Sequence, residues 1–108
     1  MKIKYNKLVR DKIPGIIQKT GKEFQIAYYD EDEYKEALLE KLIEEANEVR
    51  NAPSDRLIIE MADLLEVYET IISANNISND HLINLKNKRH KERGGFINKI
   101  KLLWVDDQ

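Results

Sequence analysis

The chain contains no cysteine. That excludes a disulfide framework, a thiolate zinc or iron–sulfur site and a cysteine nucleophile. Proline occurs twice and glycine four times, too few for a collagen-like or low-complexity chain. Aromatic residues make up only 7% of the sequence. No run of apolar residues comes near the ~18 needed for a membrane-spanning helix. The opening residues alternate basic and polar side chains, unlike a secretory leader, so a cytoplasmic protein is expected. There is no Gly-rich loop ending in GK[ST]. Asp30 and Asp32 do not begin an EF-hand loop, because the required glycine is missing.

What is present is charge, and it is unevenly placed. Lys and Arg number 18 against 20 Asp and Glu, a formal net charge of −2 over 108 residues. Residues 1–22 carry seven bases and one acid, Asp11. Residues 30–69 carry fourteen acids and four bases, and residues 86–101 return to seven bases and one acid, Glu92. An acidic middle between two basic ends suits a site that handles cations and anions together. With 42% hydrophobic residues the chain can form one folded domain, residues 1–108.

The chain reads as mainly α. Residues 10–20 suit a short helix with Pro14 in its first turn and Gly21 as its stop. Residues 23–29 (EFQIAYY) alternate and favour a strand. Asp30 caps a long helix to about Asn51, with acids in its first turn where the helix dipole favours them. Pro53-Ser54 ends it, and a second helix runs from about Asp55 to Ala74. Asn75-Asn76 closes that one, and Ser78 caps a third, ending at Arg93 before Gly94-Gly95. Residues 96–105 (FINKIKLLWV) read as a strand that pairs with residues 23–29 into a two-stranded ribbon, which needs helices behind it.

The first two long helices should pack as a hairpin. Tyr34, Leu38, Leu42, Val49 and Ala52 keep one face of the first. Leu64, Val67 and Ile71 keep one face of the second, flanked by Leu57, Met61 and Tyr68. Two such helices bury little, so a third helix or a second subunit is expected to complete the core.

Acids interrupt both seams. Glu45 stands between Leu42 and Val49 where an apolar residue is expected, and Glu48 lies about 60° around the helix from it. Glu60 and Asp63 repeat the three-residue spacing on the second helix, in line with Val67 and Ile71. Folding the hairpin should bring the four carboxylates together. Like charges at close range raise one another's pKa, and a hard divalent cation relieves the repulsion. An all-oxygen donor set with no cysteine points to Mg²⁺, with Mn²⁺ as substitute. The competing reading is a solvated acidic face, the usual fate of charge runs on helices.

Glu44-Glu45-Ala46-Asn47-Glu48, followed after eleven residues by Glu60-Met61-Ala62-Asp63, resembles the EExxE…ExxD signature of the all-α nucleoside triphosphate pyrophosphatases. This MazG-like superfamily includes MazG, dimeric dUTPases and phosphoribosyl-ATP pyrophosphohydrolase. The gap is slightly shorter than in many members, which implies a tight hairpin turn. Residues 5–14 (YNKLVRDKIP) and 91–96 (KERGGF) resemble the opening and closing segments of its phosphoribosyl-ATP pyrophosphohydrolase-like small-protein branch.

The resemblance implies a MazG-like helical bundle completed by oligomerisation to a dimer or tetramer. It implies Mg²⁺ held by Glu45, Glu48, Glu60 and Asp63, and cleavage of a nucleoside triphosphate, noncanonical ones included, between its α- and β-phosphates. Glu48, with Glu44 behind it, is the candidate to accept a proton from water. Lys7, Arg10, Lys12, Lys88, Lys91 and Arg93 are the candidate phosphate-binding cations. Gly94-Gly95 has two readings, a helix cap or a backbone nest for phosphate. Phe96, Tyr28 and Trp104 can stack on a base or serve in the core. His81 and His90 lack Glu-x-x-His spacing, which argues against a di-iron bundle.

Two alternatives compete. One keeps the fold and makes phosphoribosyl-ATP in histidine synthesis the substrate. The other is a non-catalytic helical interaction module using the basic segment 86–101. The slightly negative total charge and the lack of a recognition motif argue against nucleic acid as partner.

Overall fold

The computed structural model describes residues 1–106, and every regular element among them is helical. The helices are α1 (Ile13–Lys19), α2 (Glu31–Asn51), α3 (Leu57–Ala74) and α4 (Asn79–Arg93). No described helix is long and apolar enough to cross a membrane. The chain divides into two compact units, Met1–Asn76 and a second that begins at Ile77.

In the first unit the helix boundaries follow local chemistry. Pro14 sits in the first turn of α1, where no intrahelical N–H bond is lost. Asp30 accepts from the Glu33 N–H at 2.8 Å, and Glu33 accepts in return from the Asp30 N–H at 3.2 Å. This reciprocal capping box satisfies two of the donors that a helix start leaves open. Glu31, Asp32 and Glu33 add negative charge at the positive end of the dipole. The helix stops at Ala52, which takes extended geometry before Pro53, as the ring of a following proline requires. A turn closed by the Arg56 N–H on the Pro53 carbonyl at 2.9 Å reverses the chain. α3 begins at Leu57, two residues later than the sequence reading. Asn75 ends it by donating its side-chain amide to the Ile71 carbonyl at 2.8 Å.

α2 and α3 pack along the expected seams. Ala37, Leu38 and Val67 are buried, and Leu42, Val49, Leu64 and Ile71 are half-buried around them. Burying one such aliphatic side chain contributes about 1.5–3 kcal/mol. Three buried residues therefore give a narrow core, enough to fix which faces meet. Leu57, Met61 and Tyr68 remain exposed beside the seam.

In the second unit Ser78 caps α4 by accepting from the His81 N–H at 3.2 Å. His90, Lys91 and Arg93 crowd its last turn, where the dipole favours cations. Gly94 ends the helix at φ 82°, a conformation that disfavours a side chain, and donates its N–H to the His90 carbonyl at 2.7 Å. α4 has no buried residue.

The two-stranded ribbon expected from residues 23–29 and 96–105 is corrected by the structure: neither segment is a strand. Alternation over 96–105 is broken at its start. The Lys99 N–H bonds back to the Phe96 carbonyl at 3.3 Å, with Lys99 at φ 61°. Phe24, Ile26 and Tyr28 in the first segment are exposed, as are Ile97, Ile100 and Leu102–Val105 in the second. A two-stranded ribbon needs one face covered to persist, and no cover is in place for either segment.

Candidate functional site

The hairpin brings Glu45 of α2 together with Glu60 and Asp63 of α3. One carboxylate oxygen from each lies within 4.8 Å of the others, and all three residues are half-buried. Three of the four acids expected to converge thus do so. Glu48 is exposed and lies outside the group. The offset that puts Glu48 about 60° from Glu45 carries it from the seam toward solvent.

The group is compensated by cations drawn from three places. Lys41, one turn before Glu45 on α2, holds Glu45 at 3.8 Å and Glu44 at 3.4 Å. Arg56, in the turn before α3, holds Glu60 at 3.6 Å. Arg10, from the N-terminal segment, donates to Asp63 at 2.9 Å and reaches Glu66 at 3.9 Å. Lys7 donates to Glu44 at 3.1 Å. The basic N-terminal segment therefore reaches the acidic site of its own chain, and no subunit exchange is needed to bring Lys7 and Arg10 there. Lys12 is exposed and starts α1 as its N-terminal flanking residue.

Lys41, Arg56 and Glu66 were not among the residues singled out from sequence. Lys41 and Arg56 carry a readable signal, since each stands four residues before the acid it pairs with. Glu66 has none beyond being one turn from Asp63 and Ala62.

Environment separates the two adjacent acids of α2. The hydrogen bond from Lys7 is the largest of the influences that hold the Glu44 carboxyl below its ordinary value of 4.5, with Lys41 adding to it. Glu45 moves the other way. Burial pushes it above 4.5 against the pull of Lys41, and the negative charges of Asp63, Glu44 and Glu60 add to the rise. Its side chain is only 13% exposed, which is why desolvation leads.

Hard oxygen donors from two helices, with no nitrogen or sulfur among them, could hold a hard divalent cation. An octahedral ion with ligands at about 2.1 Å sets their oxygens roughly 3–4 Å apart. The three carboxylates, within 4.8 Å of one another, lie near that spacing. No buried side-chain polar atom lacks a partner among the described residues. An open cavity of about 480 Å³ lies elsewhere in the first unit, lined by Asn6, Tyr29 and four acids of the first half of α2. None of the converging carboxylates lines it.

In the second unit Arg93, Gly94, Gly95 and Phe96 line a cavity of about 210 Å³ together with Lys99. Lys88 and Lys91 lie exposed on α4. The Gly94 N–H is already spent on His90, so the cap reading accounts for that glycine. Tyr28, Phe96 and Trp104 are largely exposed.

No family model, curated protein or solved structure matches this chain.

The opposite shifts of neighbouring acids are measurable. Carboxyl-carbon NMR titration of chelator-treated protein should give Glu44 a midpoint below 4.5 and Glu45 a midpoint above it. The linkage signs differ accordingly. The Glu44 contribution to stability is present above the ordinary value and lost as pH falls through the lowered folded value. That of Glu45 is present below the ordinary value and lost as pH rises through the raised one. Lys7→Gln should move the Glu44 midpoint up and leave Glu45 above 4.5. The reverse order of midpoints would contradict this account of the site.

Proposed function

We propose that the protein is a Mg²⁺-dependent nucleotide pyrophosphohydrolase with a MazG-like helical arrangement. In this reading it cleaves a nucleoside triphosphate, noncanonical ones included, between the α- and β-phosphates. The observation that carries this reading is the convergence of Glu45, Glu60 and Asp63 from two helices, within reach of Lys7 and Arg10.

Glu45, Glu60 and Asp63 hold the divalent cation, which when bound neutralises phosphate charge and lowers the pKa of water. Glu48 stands at the rim, exposed and outside the described ion pairs, and accepts the proton that the attacking water gives up. Glu44 is the poorer base, because Lys7 and Lys41 hold it ionised. The water oxygen bonds to phosphorus at the α–β bridge, the bridging P–O bond breaks, and pyrophosphate leaves. Lys7 and Arg10 supply positive charge for that leaving group, Arg10 through a planar fork suited to phosphate oxygens. Lys12, from the same N-terminal region, is a further candidate for the nucleotide's phosphates. Phosphoryl transfer asks chiefly for such positioning and charge neutralisation.

Self-association to a dimer or tetramer is part of the same proposal. In the second unit Ile97, Ile100, Leu103 and Trp104 are each at least 76% exposed, and exposed apolar side chains gathered in one segment favour an interaction site. Sedimentation should give a species heavier than the 12.7 kDa chain; a monomer at all concentrations would contradict it.

Purified protein with Mg²⁺ or Mn²⁺ should release pyrophosphate, and not orthophosphate, from at least one triphosphate. The panel needs modified bases and phosphoribosyl-ATP. Glu45→Gln and Asp63→Asn should lower turnover roughly a hundredfold or more, the rate equivalent of several kcal/mol of metal stabilisation. Their helical circular dichroism should be unchanged. No turnover across the panel, with salt-sensitive RNA or DNA binding that survives both substitutions, would replace the enzyme by a binding module.

A further inference from the structure

Among the cations that balance the site, Arg10 differs from the others. Lys41 and Arg56 pair with acids one turn away, at 3.8 and 3.6 Å, so either can swing aside with its helix in place. Arg10 reaches Asp63 across 53 residues of sequence, and at 2.9 Å it makes the shortest ion pair of the site. It belongs to a segment with no regular structure, residues 1–10, in which every residue except Leu8 is exposed. Its ion pairs to the hairpin run from Lys7 to Glu44 and from Arg10 to Asp63 and Glu66.

A divalent cation and the Arg10 guanidinium make competing claims on the Asp63 carboxylate. An exposed ion pair is worth only about 0.2–1 kcal/mol. A dication held by three carboxylates has far more electrostatic attraction to draw on, and it repels a guanidinium a few ångströms away.

Resting on the pyrophosphohydrolase reading, we propose that Arg10 is a metal-released phosphate ligand. It holds Asp63 until a divalent cation takes that carboxylate. The freed guanidinium, with Lys7 beside it, then closes on the pyrophosphate portion of the nucleotide. The site thereby favours one loading order, cation before nucleotide, because the residue that grips phosphate is mostly committed to Asp63 until a cation is bound there. The N-terminal segment is the moving part, and Arg10 is its latch.

The test follows chelator-treated full-length protein by ¹⁵N NMR as MgCl₂ is added, with inorganic pyrophosphate as the anionic probe. In the wild type, Mg²⁺ alone should lower the heteronuclear NOE of residues 5–10, and pyrophosphate added afterwards should restore it. Arg10→Gln should bind Mg²⁺ about two- to fivefold more tightly, the loss of one exposed competing ion pair. The same variant should bind pyrophosphate more weakly in the presence of Mg²⁺. Loss of a nearby positive charge moves the two affinities this way in either case, so the drop in order of residues 5–10 on adding Mg²⁺ is the readout that a merely structural Arg10 would not give. Mg²⁺ binding to the wild type, lost in Glu45→Gln, with residues 5–10 unchanged, would overturn the exchange and leave the metal site standing. Weaker Mg²⁺ binding by Arg10→Gln would overturn it as well. If Mg²⁺ binds neither wild type nor variant, the metal-dependent reading falls and the exchange falls with it.

Discussion

Carboxylates repel one another, and a fold that presses three of them within 4.8 Å must supply positive charge from somewhere. Here each acid has its own cation: Lys41 for Glu45, Arg56 for Glu60 and Arg10 for Asp63. Glu45 and Glu60 are the less exposed pair, at 13% and 14%, so the penalty of taking charge out of water falls mainly on them. The organisation of the first unit follows from this constraint. The N-terminal segment lies against the hairpin because its bases are wanted there, and the hairpin turn carries Arg56 for the same reason.

What makes the acids meet is apolar. Ala37, Leu38 and Val67 are buried where α2 and α3 pack, and Glu45, Glu60 and Asp63 lie on extensions of the same seam. An aliphatic side chain in any of these three places would add to a thin core and relieve repulsion. Sites that carry function commonly run against local stability in this way. The narrow core leaves much apolar surface uncovered, which gives self-association its place in the proposed function.

Features set by neighbouring residues were legible in the sequence. Asp30 with Glu33, Pro53 and Gly94 mark helix ends through hydrogen bonds or ring geometry that span four residues or fewer. The seam was legible as well, because a 3.6-residue period places Leu38, Leu64 and Val67 on single faces whatever they pack against. The convergence of Glu45, Glu60 and Asp63 followed from that period and from the hairpin. Glu48 was not legible in this way: a 60° offset is small on a helical projection, yet here it separates the seam from solvent. The ribbon failed for a different reason. Alternation over 23–29 and 96–105 speaks of local preference, whereas a strand exists only when a partner and a cover are in place. The pairing of Arg10 with Asp63, 53 residues apart, has no sequence period to announce it.

The central claim is that Glu45, Glu60 and Asp63 together form the divalent-cation site of this chain. Substoichiometric Mn²⁺ tests it directly, because a paramagnetic ion broadens the NMR signals of whatever lies near it. The account predicts that resonances of these three residues disappear first, while those of Asp32 and Glu33 at the acidic start of α2, about 18–20 Å along the helix from Glu45, persist. Broadening centred on that acidic stretch, or spread evenly along both helices, would contradict it.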